Sequence, residues 1–511
     1  MKKQIVVNIL SNYAGRIVSL ALSFALTPFL VHKLGIEAFG VIVFFESLVQ
    51  FVEMTCEGLR LALSRHAAFS LSKGMSEELS AYFSTGRVIF LAIAAAVLAV
   101  GLPLSAFVTD VFQIPDALGF QSKVLFAIMV IAFAMRMPNA VDRSGLYARH
   151  RYDLINLAVS SAAIVRAVVI LVLFTWLPAN YVSLPVYGTV YLATSVAQNI
   201  FFSVTCRRVL PGLRVPFSGF DVKKMKEILS FGFYTMVSHL SSASHESFII
   251  ILINLFWGPA YNALYAIGVK FADLMESFFK EPVWSLTPTF TTLAAQNNRE
   301  KVEELLFIFT KGLALVTVPA CVFLMVYADW IILAWVGPTF QPAVVLMVVS
   351  LLPEIISLPL SACESFGNAY AKLKVPSIVN AVTVVLSLGL GYCLAVPLHW
   401  GLPGLAWGVA ITTIAYSIFY LAPYACHISG ISLSKYWVQA YLKPSVWACL
   451  FWGAAFYIIM LFEKSPLSPV SVLIFIGLTA VYGAGSYLWF LDPSEKGRFS
   501  EVLKMAGNKW A

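Results

Sequence analysis

Residues 40–64 read GVIVFFESLVQFVEMTCEGLRLALS. The run is mostly apolar and exceeds the ~20 residues that an α-helix needs to cross a ~30 Å hydrocarbon core. Its polar residues are not scattered. With successive side chains about 100° apart on a helix, Glu46, Gln50, Glu53, Glu57, Arg60 and Ser64 fall within about 40° either side of one line. Ionised groups are costly in lipid, so such a stripe belongs against protein or in a water-filled cavity. The segment is therefore expected to be a membrane span with one wet face.

The rest of the chain has the same character. Of its 511 residues 60% are hydrophobic and 12% charged, whereas soluble domains average about 45–50% and about 25%. Mean hydropathy is +0.84. These values exclude an ordinary soluble enzyme, a disordered chain and a secreted disulfide scaffold. They predict an all-α polytopic membrane protein of about fourteen spans, at roughly 8–31, 40–63, 86–109, 123–142, 153–177, 185–206, 229–255, 261–284, 303–328, 343–364, 377–398, 404–426, 445–463 and 470–491. Lys2 and Lys3 precede the first run, as in a signal peptide. The run continues to about Val31 without a small-residue cleavage site, so it is read as a retained helix.

The net charge of +8 carries its information in its distribution, and nucleic acid is not an expected partner. With this map, 24 basic residues lie on the side of the termini, three (Lys33, Lys123, Lys464) on the opposite side and seven within spans. The asymmetry predicts that both termini are cytoplasmic. The seven cysteines lie in apolar segments without a CxxC pair or a Cys/His cluster, and read as buried thiols with no metal among them.

The longest and most basic link, Arg207 to Glu227, follows the sixth span, and what comes after it resembles the start. Ile9-Leu10-Ser11 recurs as Ile228-Leu229-Ser230, Val18-Ser19 as Val237-Ser238, Gly35 as Gly258 and Asn156 as Asn380. The expected division is a six-helix lobe over 1–206, a basic cytoplasmic linker over 207–228, a second, pseudo-symmetric six-helix lobe over 229–426, and two extra helices with a cytoplasmic tail over 427–511. Repeats related by an axis along the membrane normal, with a site at their interface, are a common transporter plan.

The polar stripes sit on the first two helices of each lobe. The first span carries Asn8, Asn12, Arg16, Ser19, Ser23 and Thr27 on one face. In the second lobe, 261–284 aligns Lys270, Asp273, Ser277, Lys280 and Glu281, and 229–255 brings Ser238, Ser242 and His245 with His239 and Glu246 beside them. At an offset of 223, Glu53 lands on Glu276 and Glu57 on Lys280. Structural ion pairs, Glu57–Arg60 and Lys270–Asp273 for example, are the bland alternative for any one residue; as a set the stripes exceed what pinning helices needs. Arg136 and Arg166 divide between cavity lining and snorkelling. Trp284 extends the eighth-span stripe toward a role in stacking on a sugar.

Two stretches carry a resemblance. LGIEAFGVIVFFESL (Leu34–Leu48) is similar to the LG-x-x-x-FG opening of the polysaccharide-transporter (Wzx-like) family in the MOP flippase superfamily. GNAYAKLKVPSIVNAVTVVLSLGLGYCLAVPLHWGLPGLAWGVAI (Gly367–Ile411) resembles that superfamily's G-x-x-K…N…GLxGxAxA segment. The resemblance implies a flippase of the bacterial inner membrane that moves undecaprenyl-pyrophosphate-linked oligosaccharide by alternating access, for surface polysaccharide such as O-antigen. Its partners would be that glycan lipid, membrane lipid and polysaccharide polymerase or assembly proteins. Related lipid II flippases place basic residues on the first, second and eighth helices toward the diphosphate, and Arg16, Arg60 and Lys270 lie on those helices here.

On this reading Arg16, Arg60, Lys270 and Lys280 attract the pyrophosphate in a central cavity. Glu46, Glu53, Glu57 and Asp273 hold those cations until substrate arrives. A carboxylate, with Glu276 and Glu246 among the candidates, or a histidine, His239 or His245, is left to carry a coupling proton, with sodium as the other coupling ion. No cofactor is expected, and no GxxxxGK[ST] loop is present for ATP. The competing readings are a MATE-type cation-coupled exporter and, further off, a membrane glycan polymerase or ligase. The latter generally needs a large outer loop, and here the outer loops run to about fourteen residues with no nucleophile–base or metal cluster.

Overall fold

The computed structural model describes residues 2–178, 183–211, 213, 215–243, 245–284, 286–296, 298–369, 374–462 and 469–490. Its elements are α-helical throughout, with short 3-10 and π segments. In chain order they are α1 (Lys2–Leu34), α2 (Ile36–Ser72), α3 (Ser76–Val111), α4 (Asp116–Arg136), α5 (Ala140–Ala148), α6 (Tyr152–Trp176) and α7 (Leu184–Val209). Then come α8 (Val222–Ala243), α9 (His245–Trp257), α10 (Pro259–Trp284), α11 (Thr287–Ala295), α12 (Arg299–Val326), α13 (Ala328–Val336) and α14 (Ala343–Ser357). The chain closes with α15 (Ser361–Ala369), α16 (Lys374–Ala395), α17 (Leu402–Tyr416), α18 (Ala422–Ser429), α19 (Leu433–Tyr436), α20 (Lys443–Phe462) and α21 (Pro469–Phe490).

Each of the fourteen expected apolar segments coincides with a helix or a consecutive pair. Eight helices are long and apolar enough to cross a membrane, or nine with the pair α14 and α15, which is bent by 57° at Leu358–Leu360; both counts are of the described residues. Large apolar side chains face outward along them. Phe120, Phe419, Val100, Val385 and Leu450 are all exposed in the isolated chain, a surface that lipid rather than water would cover.

The chain forms two compact units, residues 1–266 and 267–511. In the first, α2 is the central helix. Its buried Phe44 and Phe45 pack near Phe112 and Phe126, while α8 and α9 run along another side, where the Phe51 and Phe248 rings meet 4.9 Å apart. Small residues allow the approach: a Cβ on Gly58 would stand 2.5 Å from the Met236 amide nitrogen, and one on Gly232 2.5 Å from Leu59. Without a hydrophobic force between helices in lipid, close backbone packing of this kind is a main source of adhesion. Gly35 and Gly258 each open the helix that carries a polar stripe, with φ of 85° and 86°, a left-handed conformation that glycine adopts at least cost.

The second unit is knit the same way. α16 and α17 cross through Ser387, Gly391 and Ala395 on one side and Gly404 and Gly408 on the other. Elsewhere Tyr436 is fully buried and its hydroxyl meets Thr310 at 2.6 Å and the Cys363 sulfur at 2.9 Å. α20 and α21 pack Trp452, Phe456 and Tyr482 into one cluster with Leu315, Val318 and Tyr327. All seven cysteines are free; five are buried, Cys449 is half-buried and Cys393 exposed.

Candidate functional site

In the first unit the stripe of α2 meets side chains of α4, α5 and α7, and its charges are engaged. The Glu57 carboxylate accepts from Arg60 Nε at 2.7 Å and from a second guanidinium nitrogen of the same residue. Arg60, one turn on, is only 3% exposed, and its guanidinium lies 4.1 Å over the Tyr147 ring of α5. Glu53 Oε1 accepts from Arg136 Nη2 of α4 at 2.7 Å and stands 3.8 Å from Arg143 Nη1 of α5. Arg136 also donates to the Tyr191 hydroxyl of α7 at 3.3 Å, and Arg166 of α6 lies 4.3 Å over that tyrosine ring while donating to Thr194. Above these, the Tyr187 hydroxyl donates to Glu46 at 2.6 Å.

The stripe thus belongs to a polar interior built from five helices, in which Arg60 meets Glu57, Arg136 and Arg143 share Glu53, and tyrosines hold Glu46 and Arg166. Arg136 and Arg166 both reach Tyr191, the first through its hydroxyl and the second over its ring. Glu57–Arg60 is an ion pair, but the set is larger than pairing requires. Arg143 belongs here too, although in the sequence it counts among the loop charges that set orientation.

The second unit holds a network of opposite sign. Lys280 of α10 donates to Glu276 at 2.9 Å and lies 3.2 Å from Glu364 of α15. Glu354 of α14, across the 57° bend, accepts from Ser357 at 2.7 Å. One lysine here faces three carboxylates, two of which (Glu354 and Glu364) the stripe analysis does not single out. Lys270 and Asp273 are half-buried on the same helix, and Trp284, at its end, is exposed. Arg16 on α1 and Glu246 on α9 are exposed. The side chains of Asn8, Asn12, Ser238, His239, Ser242, His245 and Glu281 lie outside the described residues.

At one end of the first unit, α3 and α8 are fastened together. Lys224 pairs with Glu78 at 3.2 Å and sits 4.1 Å over the Tyr82 ring, and the Tyr82 hydroxyl donates to Glu227. His66 stacks on the other side of the pairing at 4.8 Å from Tyr82, and Arg65 lies over Phe231. Glu78→Lys is expected to lower amide protection at the start of α8 by up to about fivefold, given that partly exposed pairs contribute ~1 kcal/mol at most. Glu78→Lys/Lys224→Glu should return it. Hydrogen exchange over 222–230 reads both, and equal protection in all three proteins would show that this pair does not fasten the helices.

The profile of polysaccharide biosynthesis proteins matches residues 30–345. The chain is 22% identical over 429 residues to the uncharacterized membrane protein EpsK of Bacillus subtilis (strain 168), covering 83% of each. Among solved structures it is similar to the lipid II flippase MurJ in an inward closed conformation, with a TM-score of 0.71 at 16% identity over 94% of this chain and 99% of that one. It is also similar to a multidrug resistance MATE family transporter of the MOP superfamily in its inward-facing conformation, with a TM-score of 0.63 at 15% identity over 82% and 99%. At these identities the likeness is one of fold: an all-helical membrane protein with the architecture of MOP transporters.

Proposed function

The chain belongs to the polysaccharide biosynthesis protein family, and from that premise we propose that it is an ATP-independent flippase. Its substrate is an undecaprenyl-pyrophosphate-linked oligosaccharide, carried from the cytoplasmic to the outer leaflet of a bacterial inner membrane by alternating access, with both chain termini cytoplasmic. The observation that carries this reading is the arginine-rich network inside the apolar first unit. A polar head with a diphosphate cannot cross hydrocarbon unaided, and buried guanidinium groups, which fork onto phosphate oxygens, suit that head. The lobe division at 207–228 and the roles of Arg16, Arg60, Lys270 and Lys280 belong to the same proposal. Glu57 on Arg60, and Glu276 with Glu364 on Lys280, are the carboxylates that would release their cations to substrate.

Transfer of negative charge outward is favoured by an inside-negative potential, by ~2.3 kcal/mol per charge per 100 mV, so a head with two charges gains roughly 4–5 kcal/mol per 100 mV. The test is transfer of lipid-linked glycan in sealed proteoliposomes under an imposed potential or pH gradient, with Arg16→Ala/Arg60→Ala as control. Gradient-stimulated transfer that falls at least tenfold in the double variant is the expected result. The acid-rich network around Lys280 is what favours the second reading, a cation-coupled exporter. Uptake of cationic dyes with no glycan transfer, across a panel that includes the native lipid-linked glycan of the source cell, would make that reading the better one.

A further inference from the structure

Within the first unit, two guanidinium groups have donors for which no acceptor lies among the described residues. Arg60 commits Nε and one terminal nitrogen to Glu57, and its Nη1 is buried without a hydrogen-bond partner. Arg143 directs Nη1 toward Glu53 at 3.8 Å, too long for a hydrogen bond, and its Nε is likewise buried and unpartnered. The two are neighbours. Arg143 and Tyr147 lie one turn apart on α5, Arg60 covers the Tyr147 ring at 4.1 Å, and the charges of Arg60 and Arg143 oppose one another. On its far side Arg143 is backed by the Phe202 ring at 5.6 Å. Buried donors without acceptors are unfavourable, and like charges held side by side in a membrane-spanning bundle are more so.

An oxyanion placed against both groups would satisfy both defects at once. We propose that Arg60 and Arg143 form a seat for a phosphate-class oxyanion, reading its oxygens through Arg60 Nη1 and Arg143 Nε. The proposal rests on the flippase reading only for the origin of that anion, the diphosphate of the lipid-linked glycan; the seat itself accepts free pyrophosphate by the same chemistry. The seat is confined to one repeat. Arg143 is the fourth residue of the nine-residue α5, and the fourth residue of the nine-residue α15 is Glu364, which instead holds Lys280. The two repeats thus carry opposite charge at equivalent places, and an anionic head has one half of the molecule to bind.

Isothermal titration of the purified full-length protein with inorganic pyrophosphate, at constant ionic strength and against a sodium chloride control, tests this directly. Saturable binding to the wild type is expected, weakened at least tenfold in Arg143→Gln and by a smaller factor in Arg143→Lys, which keeps the charge but has no Nε–H. Arg149→Gln, at an exposed position just beyond α5, should bind as the wild type does. A wild type that responds to pyrophosphate no more than to chloride, or an Arg143→Gln protein within twofold of wild-type affinity, overturns the seat. Arg143→Lys keeps the test decisive if the glutamine variant fails to fold. In proteoliposomes, excess pyrophosphate that slows glycan transfer identifies the lipid headgroup as the occupant, while binding without such competition identifies the free anion. Pyrophosphate binding in a protein that transfers no glycan would leave the seat standing and remove the flippase reading; wild-type transfer by Arg143→Gln would do the reverse.

Discussion

Gly408→Leu should abolish folded protein. A Cβ at this position would stand 2.3 Å from both the nitrogen and the Cα of Gly391 and 3.0 Å from the Ser387 carbonyl oxygen. The obstacles are backbone atoms of α16, so no rotamer change relieves them, and the two helices must separate along their whole crossing. Gly404, one turn away, stands the same distance from yielding, with Ala395 nitrogen at 2.6 Å from its would-be Cβ. In lipid the lost contacts are not replaced by a hydrophobic gain elsewhere, and overpacking of a tight core costs about 1–3 kcal/mol even where side chains can shift. Gly408→Ala is expected to leave a reduced monodisperse fraction, and leucine none. Gly389→Leu is the control on the opposing helix α16, since Gly389 is exposed and nothing described lies within 4 Å of its Cβ position. Fluorescence-detected size exclusion after mild detergent extraction reads all three. A Gly408→Leu protein with a wild-type elution profile would mean that α16 and α17 do not cross here.

How much of this was legible beforehand depends on what each feature asks of the chain. Span positions follow from apolar length alone, which is why every expected segment meets a helix. The stripe of α2 follows from periodicity, since Glu46, Glu53, Glu57 and Arg60 share a face whatever surrounds them. Their partners do not follow. Tyr147, Tyr187 and Tyr191 look like ordinary aromatic packing until the fold brings their rings or hydroxyls to Arg60, Glu46 and Arg136. Arg143 is hidden by a local break: α4 stops at Arg136, three residues turn, and the nine-residue α5 then carries the arginine back toward α2. Read as loop, it counts toward orientation; read as helix, its position one turn from Tyr147 would have marked it. Glu364 is hidden by a similar break, where Pro359 follows α14 and the chain bends by 57° before α15, whereas Glu354 is the single acid of the otherwise apolar α14 and belongs to no stripe. Arg143 and Glu364 both fall at interruptions of a span, where hydropathy still reads apolar but helical phase is lost.

Those interruptions also bear on why the two units carry networks of opposite charge. A residue beyond a break is positioned by tertiary contact rather than by the phase of the preceding helix, so arginine and glutamate can exchange there while the spans themselves are undisturbed. The polar interior of each unit is then set by a few positions: Glu53, Arg136 and Arg143 in the first, and Glu276, Lys280 and Glu364 in the second.

Glu53→Gln tests whether the first of these networks stands on its carboxylate. One oxygen of Glu53 serves two guanidinium groups, at 2.7 and 3.8 Å. The amide keeps the shape and can still accept from Arg136, but it removes the carboxylate charge that these two cations share. Breaking a buried ion pair costs about 3–5 kcal/mol because the surviving charge is left uncompensated; with Glu53 33% exposed and Arg136 20%, the lower end, about 3 kcal/mol, is expected. Arg136→Met alone removes one of the two cations and should cost less than Glu53→Gln. Glu53→Gln/Arg136→Met should recover part of the loss, because contacting residues do not act additively. Arg143 then remains as the one cation without its carboxylate. Thermal unfolding of the four proteins closes the cycle. An additive result, with the double variant at the sum of the singles, would mean that the Glu53–Arg136 contact holds nothing and that the arginines are already satisfied by other partners.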